Sequence, residues 1–174
     1  MMVTTPRLEQ LPPETGHWLE VDLTTQRLWC WQGRQRVADY PISSGATGIG
    51  QRDGSGQTPL GWHYVRAAIG DGQPPGAVFR GRRPTGEVFD ATLAAEYPAR
   101  DWILTRILWL CGLEPGYNRG GQVDSQRRYI YLHGTPPDQP MGTPASHGCL
   151  RLRDAALLEV FDFAPAGTPV WLHD

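Results

Sequence analysis

Three side chains that together could carry out acyl transfer lie within one short part of the chain. Cys149 follows His147 by two residues, and His133 lies 16 residues before Cys149. A thiol attacks a carbonyl carbon as the thiolate, so it needs a nearby proton acceptor and a third group that fixes the tautomer of that acceptor. The spacing leaves two acceptors open: His147 would share a face with Cys149 in an extended segment, and His133 would approach across a strand pair or a loop.

The residues around the thiol indicate how a substrate would be held. Gly148 removes a side chain that would crowd an incoming carbonyl group, and the backbone N–H groups around Gly148 and Cys149 are suitable donors to an oxyanion. Arg151 has the forked donors that suit a substrate carboxylate, although packing against the following segment is the alternative. Tyr131 shares a strand face with His133, where it either lines a groove or belongs to the core.

These residues form part of a longer pattern. A His-Gly pair at 133–134 is followed by a loop rich in Pro and Gly, and then by Ser-His-Gly-Cys-Leu-Arg at 146–151. In this pattern the chain resembles the L,D-transpeptidase catalytic domain family, also called the YkuD family. The upstream segments at 43–46 and 58–62 fit the same family, so the resemblance covers roughly residues 17 to 172.

The resemblance implies a role for each residue of the motif. Cys149 would be the nucleophile and His133 the general base, with the carbonyl of Gly134 accepting the distal ring N–H. His147 and Ser146 would be structural or substrate-side residues that line the pocket. We therefore predict the catalytic groups Cys149, His133, Gly134 (backbone carbonyl) and Gly148 (backbone N–H), and the substrate-binding residues His147, Ser146, Arg151 and Tyr131.

The resemblance also implies the substrate, namely peptidoglycan stem peptides or muropeptides. The thiolate would attack the carbonyl at the L-centre of the third residue of a tetrapeptide, usually meso-diaminopimelate, and D-Ala would leave from a thioester intermediate. Attack by water then gives an L,D-carboxypeptidase of murein recycling, which is the expected outcome. Attack by an amine gives 3-3 crosslinks or D-amino acid exchange in the periplasm.

Two other classes of function remain open on the residues alone. His133, His147 and Cys149 are competent zinc ligands, although they lack the paired spacing of zinc sites and show no fourth ligand. A noncatalytic module that binds murein through the Arg-rich segment 80–83 is the other alternative, because stem peptides carry several carboxylates. We expect a catalytic domain without a metal or another cofactor.

Composition limits the remaining possibilities. A chain of 174 residues with 40% apolar side chains fits a single domain, and a net charge of −2 gives no reason to expect a nucleic-acid partner. All 16 basic residues are arginines, which excludes Schiff-base and Ser-Lys chemistry. Cys30 and Cys111 lie in apolar contexts and are predicted to be buried free thiols, as in a reducing compartment.

The first residues and the apolar runs of the sequence indicate where in the cell the protein is expected. Residues 1–10 carry proline and charges where a signal peptide would be apolar, so the chain as written is expected to be cytoplasmic, and periplasmic if a leader has been removed. The longest apolar run, residues 102–113, is interrupted by Thr105 and Arg106 and is too short to cross a bilayer. We therefore expect no membrane insertion, and a monomer.

The pattern of apolar residues predicts many strands with one or two short helices. This fits the mostly β, sandwich-like arrangement of mixed sheets that the family resemblance implies. An N-terminal extension at 1–16 would precede one catalytic domain at 17–174, with a lid or insert at about 70–125 and a loop rich in Gly, Pro and Arg over 70–99. Asp154 is the predicted N-cap of a helix. The predicted strands cover residues 18–23, 26–31, 35–42, 61–69, 102–110, 127–132 and 168–172.

Overall fold

The structure, a computed structural model, describes residues 3–174, so Met1 and Met2 of the predicted extension lie outside the described residues. Two short 3-10 turns occur at Leu8–Gln10 and Gly121–Val123. The strands are β1 (His17–Asp22), β2 (Arg27–Gln32), β3 (Gln35–Pro41), β4 (Gly61–Ile69), β5 (Ala77–Arg80), β6 (Arg83–Val88), β7 (Leu104–Gly112), β8 (Tyr131–Gly134), β9 (Leu150–Leu152) and β10 (Pro169–His173). The helices are α1 (Ala91–Glu96) and α2 (Asp154–Phe163).

The strands form one mixed sheet, which confirms the predicted β-rich class. Its order is β3-β2-β1-β10-β4-β7-β5-β6, while β8 pairs with β7 and β9 pairs with β8. The pairs β1–β10 and β8–β9 are parallel and the other pairs are antiparallel. Since β8 and β9 lie side by side, the two halves of the sequence motif are brought together by sheet pairing.

Alternating apolar residues explain where the main core lies. Leu19 and Val21 of β1 and Leu28 of β2 are fully buried on one face of the sheet, as the period-two pattern predicts. Helix α2 covers this face with Leu157 and Val160. The opposite face of the sheet, across β1, β2, β4 and β10, carries a row of tryptophans whose rings contact one another: Trp18, Trp31, Trp62 and Trp171.

The predicted hairpin β1–β2, the following strand β3, strand β4 and the closing strand β10 are all present near the expected bounds. The predicted loop over 70–99 is wrong, because this segment forms the hairpin β5–β6 and the helix α1. The proposed insert at 70–125 also extends too far. Strand β7, which lies within it, pairs with both β4 and β8 in the main sheet.

Two boundaries near the motif differ from the prediction. Strand β8 begins at Tyr131 rather than at Arg127, because Asp124 Oδ1 accepts from the Arg127 N–H at 3.0 Å and holds residues 124–129 in turns. Asp154 is the first residue of α2 and not its N-cap, which is Arg153. Both differences shift only the ends of elements whose existence was predicted.

The remaining expectations about cysteines and membranes concern buried and apolar segments. Cys30 and Cys111 are buried free thiols, as predicted. Within residues 3–174, no helix has the length and apolar character needed to cross a bilayer.

Candidate active site

The pairing of β8 with β9 sets the positions of the predicted nucleophile and base. The two strands are parallel, and His133 lies opposite Arg151. Cys149 lies just before β9 and beside Tyr131, the first residue of β8: its Sγ accepts a hydrogen bond from the Tyr131 N–H at 3.3 Å. Side chains two residues apart share a face of a strand, so Tyr131 and His133 project to the same side of the sheet. Cys149 packs against the apolar cluster that contains Tyr131.

His133 is buried, with only 2% of its surface exposed. Its Nδ1 lies 2.7 Å from the carbonyl oxygen of Gly134, which can only accept, so the ring proton is on Nδ1. Nε2 has no hydrogen-bond partner among residues 3–174. The predicted contact with Gly134 is therefore present, and it leaves the lone pair of Nε2 available as a proton acceptor.

Burial lowers the pKa of His133 and keeps the imidazole neutral. The Gly134 carbonyl and the Asp101 carboxylate oppose this shift, whereas the Arg151 guanidinium adds to it. A neutral imidazole is the form that a general base needs. The site therefore holds His133 ready to accept a proton at neutral pH.

Cys149 is half-buried and its thiol is turned toward the backbone between 129 and 131. Sγ donates to the carbonyl of Tyr129 at 3.2 Å, in addition to accepting from the Tyr131 N–H, and it makes no hydrogen bond to His133 in the described chain. Apolar contacts with Phe79 and Ile107 complete its surroundings. The two predicted catalytic side chains thus lie at the same strand pair, and no hydrogen bond joins them within residues 3–174.

Burial raises the pKa of the Cys149 thiol to about 11, and the charge of Asp101 adds to this shift. The Tyr131 N–H, Arg151 and Arg128 act in the opposite direction. The resting pair is thus a neutral thiol and a neutral imidazole rather than a preformed thiolate–imidazolium pair. Proton transfer must then accompany the attack on the substrate.

Two glycines of the motif stand where the chain passes close to other groups. A Cβ on Gly134 would collide with Asp154 Oδ1 and with the carbonyl oxygen of Leu104. Gly148 has a φ of +118°, in the region that favours glycine, and a Cβ there would lie 3.1 Å from the carbonyl oxygen of Gln57. The close approach of neighbouring segments, and not the chemistry alone, requires glycine at both positions.

The predicted oxyanion donor at Gly148 is already engaged. Its N–H donates to Ser146 Oγ at 3.2 Å, and Ser146 Oγ in turn donates to the carbonyl of Cys149 at 2.5 Å. The Cys149 N–H, by contrast, has no acceptor in the described part of the chain. Ser146 is also buried and hydrogen-bonded within the nucleophile loop, which favours the structural one of its two predicted roles.

The loop between β3 and β4 supports the nucleophile from behind. Thr58 Oγ1 accepts from the Gly45 N–H at 2.8 Å and donates to the carbonyl of Gly148 at 2.9 Å. Arg128 binds the same loop through carbonyl oxygens that include those of Gly50 and Gln57. The upstream segment that contributed to the family resemblance therefore fixes the backbone around Cys149.

Asp101, which was not among the predicted site residues, joins two residues that were. Its carboxylate lies 3.0 Å from Arg151 Nη2 and 3.1 Å from His147 Nδ1. Arg151 is buried and has this internal carboxylate as its partner, which favours the structural alternative over the predicted binding of a substrate carboxylate. His147 is exposed and contacts Asp101 instead of Cys149, so it is not placed as the rival base.

The tip of the β5–β6 hairpin reaches the other side of the nucleophile. Arg82 Nη1 donates to the hydroxyl of Tyr131 at 3.2 Å. Its guanidinium lies 4.8 Å from the ring centre of Trp109 and 4.9 Å from that of Tyr129. Tyr131 is thus a link between the hairpin and Cys149, and only 5% of it is exposed.

The sequence of the chain can now be compared with known families. Residues 16–172 match the family model of the L,D-transpeptidase catalytic domain, YkuD. The chain belongs to this family. Among curated proteins, none matches it.

Solved L,D-transpeptidases share the fold of this family member. The enzyme from Xylanimonas cellulosilytica has a TM-score of 0.54 and 22% identity, over 99% of this chain and 65% of that one. The enzyme from Mycobacterium smegmatis has a TM-score of 0.53 and 15% identity, over 91% and 59%. L,D-transpeptidase 3 from Mycobacterium tuberculosis, solved with a faropenem-derived adduct, has a TM-score of 0.53 and 15% identity, over 91% and 60%. The chain therefore spans about three fifths of the length of these relatives.

The ligands of the alternative zinc site are not grouped in this L,D-transpeptidase-family structure. No set of three or more His, Cys, Asp or Glu side chains within residues 3–174 is placed to bind a metal ion. Of the three residues considered, His147 contacts Asp101, and no hydrogen bond joins it to Cys149 in that part of the chain.

Proposed function

We propose that this L,D-transpeptidase-family protein is a cysteine acyl-transfer enzyme acting on the diaminopimelate–D-Ala bond of peptidoglycan tetrapeptide stems. One observation carries the proposal. The half-buried thiol of Cys149 lies just before β9, and the buried imidazole of His133 lies on β8, the parallel neighbour of β9; His133 Nε2 is unpartnered within residues 3–174. Family membership supports the substrate class.

The first half-reaction forms a thioester. His133 Nε2 takes the proton of the Cys149 thiol as sulfur attacks the carbonyl carbon, and the tetrahedral oxyanion receives the Cys149 N–H. The Gly134 carbonyl stabilises the imidazolium through Nδ1. The imidazolium then gives its proton to the amide nitrogen of the leaving group, and the C–N bond breaks to release D-Ala.

The second half-reaction transfers the acyl group from sulfur. We propose that water is the acceptor. His133 removes a proton from the water molecule while the water oxygen attacks the thioester carbon. Collapse of this intermediate breaks the C–S bond, returns the proton to sulfur and leaves a tripeptide. This is the L,D-carboxypeptidase outcome, whereas an amine in the same position would give a crosslinked or exchanged product.

Mass spectrometry of the protein incubated with a soluble tetrapeptide tests the proposal. We expect loss of one alanine without a larger product, and no loss with Cys149→Ala. Cys111→Ala serves as the matched control, because this buried thiol lies in a separate apolar cluster with Tyr64 and Leu113. A crosslinked peptide dimer or exchange of D-Ala would show that the protein is a transpeptidase and not a hydrolase. Binding of the peptide without turnover would show that it is a noncatalytic module.

A β-lactam provides a second readout that does not need the natural substrate. Since a neighbour in fold is solved with a faropenem-derived adduct, we expect faropenem to add a mass to this protein and not to Cys149→Ala. An adduct on both proteins would remove Cys149 as the acylated residue.

Location and assembly form the last part of the proposal. We propose that the protein acts on recycled muropeptides in the cytoplasm as a monomer, following the expectations from the sequence. Cell fractionation and light scattering of the purified protein test these two points. Processed protein in the periplasm or a stable dimer would contradict them.

A further inference from the structure

Three arginines are placed to act at or beside Cys149, and they differ in what they already bind. Arg151 is buried and pairs with Asp101. Arg128 is half-buried and donates to carbonyl oxygens of the β3–β4 loop, among them those of Gly50 and Gln57. In both arginines the two terminal Nη nitrogens already donate to groups of the protein.

Arg82 is the exception. A guanidinium has five N–H donors, and the only hydrogen bond of this side chain within residues 3–174 goes to the neutral hydroxyl of Tyr131. It takes part in no ion pair with the acidic groups of that part of the chain. A half-exposed guanidinium at the edge of a site that has no carboxylate partner is available to bind an anion.

The position of Arg82 is fixed by its neighbours. The rings of Trp109 and Tyr129 lie beneath its guanidinium, and the Tyr131 hydroxyl holds one edge. A side chain stacked and hydrogen-bonded in this way has lost much of its rotamer freedom before a ligand arrives, so less entropy is lost on binding.

Tyr131 connects this receptor to the reacting atom. Its backbone N–H donates to Cys149 Sγ, and its hydroxyl accepts from Arg82. The guanidinium is therefore one tyrosine side chain away from the sulfur, on the hairpin side of the site. A peptide whose carbonyl carbon is attacked by Cys149 would extend a neighbouring group toward it.

We propose that Arg82 binds a carboxylate of the acyl-donor peptide and so contributes to substrate specificity, the task that the sequence had suggested for Arg151. This inference rests on the proposed function and names a residue that binds the substrate of that reaction. Two carboxylates of a tetrapeptide lie near the scissile carbonyl: that of the terminal D-Ala, separated from it by the amide nitrogen and one α-carbon, and that on the side chain of diaminopimelate.

Kinetics of the Arg82→Gln variant on three peptides tests the inference. With the full tetrapeptide we expect KM to rise by about 10- to 100-fold and kcat to change far less, as for loss of one hydrogen-bonded charge. A peptide that lacks the recognised carboxylate should be turned over equally by the variant and the unchanged protein. A C-terminal amide removes the D-Ala carboxylate, and lysine in place of diaminopimelate removes the other, so the two sources are distinguished.

Two further variants separate charge from structure. Arg82→Lys keeps the charge but not the fork, and should recover part of the affinity. Arg83→Gln removes an exposed charge from the same hairpin and should leave KM unchanged. Thermal unfolding and alkylation of Cys149 by neutral iodoacetamide report whether each variant keeps its fold and site.

The outcomes are distinguishable from failure of the proposed function. If the unchanged protein does not turn over any tetrapeptide, the proposed function falls and this inference falls with it. If it does, and the KM of Arg82→Gln for each of the three peptides equals that of the unchanged protein, only the inference is overturned. An equal rise of KM for all three peptides would also overturn it, because the arginine would then act on the hairpin and not on a carboxylate.

Discussion

Two buried histidines lie on neighbouring parts of the sheet, and only one has the features of a general base. His63 on β4 and His133 on β8 are both buried, and each holds its Nδ1 on a backbone carbonyl, at 3.0 and 2.7 Å. At His63 the second nitrogen is also occupied, since Nε2 lies 2.8 Å from Ser125 Oγ. At His133 that nitrogen has no partner within residues 3–174. The difference between a structural and a reactive imidazole is thus one unused lone pair.

The pKa shifts alone would not reveal this difference. Burial lowers the pKa of His63 to about 4 and also lowers that of His133. The thiols behave alike: burial raises the pKa of Cys30 to about 12 and that of Cys149 to about 11. What separates Cys149 is its polar surroundings, namely a backbone N–H on the sulfur and two arginines. The hydrogen-bonding inventory is therefore more informative than burial.

Exchange of the base should produce the largest effect. In His133→Gln the side chain remains polar and similar in size but accepts no proton, so we expect turnover to fall by about 10²- to 10⁴-fold. Steady-state kinetics measures the loss, and the melting temperature should stay within a few degrees. A variant that keeps more than a tenth of the activity would remove His133 as the base.

The corresponding change at the other histidine should affect folding instead. His63→Ala leaves the Ser125 hydroxyl without its partner and opens a cavity, which should lower the free energy of unfolding by about 2–4 kcal/mol. Urea denaturation measures this loss. Turnover per folded molecule should stay within a factor of two, and a loss as large as that of His133→Gln would erase the distinction between the two sites.

Acid should destabilise the protein through His63. In the unfolded chain this imidazole binds its proton near pH 6.5, whereas the folded state binds it only at about pH 4. The contribution is therefore fully present above pH 6.5 and is lost as the pH falls toward 4, by about 2–3 kcal/mol. His133, whose pKa is also lowered, adds a loss of the same sign. Urea midpoints at several pH values measure the slope, which should be smaller in His63→Gln.

A smaller effect should follow from Asp101→Asn. The Asp101 carboxylate raises the pKa of His133 and the Arg151 guanidinium lowers it, so removing the carboxylate should lower that pKa further. The acid limb of kcat/KM should move to lower pH, by less than about one unit because the Asp101 side chain is 45% exposed and screened by water. The pH–rate profile measures the shift. Asp71→Asn, at an exposed turn, is the control, and movement of the limb to higher pH would contradict the expectation.

The parts of the structure that were predictable from the sequence depend on local patterns. Alternation along β1 and β2 gave the hairpin, and the compact motif gave Cys149, His133 and the Gly134 contact. The β5–β6 hairpin was missed because β6 is largely exposed and its sequence, RPTGEV, has no alternation of apolar and polar residues. The turns that precede β8 were missed because they are formed by the Asp124 carboxylate and by backbone hydrogen bonds, neither of which leaves an apolar pattern.

The contacts at the site that were missed share a different cause. Asp101 and Arg151 are 50 positions apart in the sequence, and Arg82 and Tyr131 are 49 apart. Contacts over such separations depend on how the segment containing β5, β6 and α1 folds back onto the sheet, which no local pattern encodes. The engaged N–H of Gly148 was missed for a related reason, since it depends on the rotamer of Ser146.

The two motif glycines are required by the packing of the chain around the site. A Cβ at Gly134 would collide with Asp154 and Leu104, and one at Gly148 would strain the backbone beside Gln57. Both glycines are therefore needed for the site to fold. They would be needed for any acyl group that Cys149 carries and for any acceptor that removes it. A redesign of this scaffold for a new substrate should therefore keep both glycines and vary the side chain at the tip of the β5–β6 hairpin, Arg82.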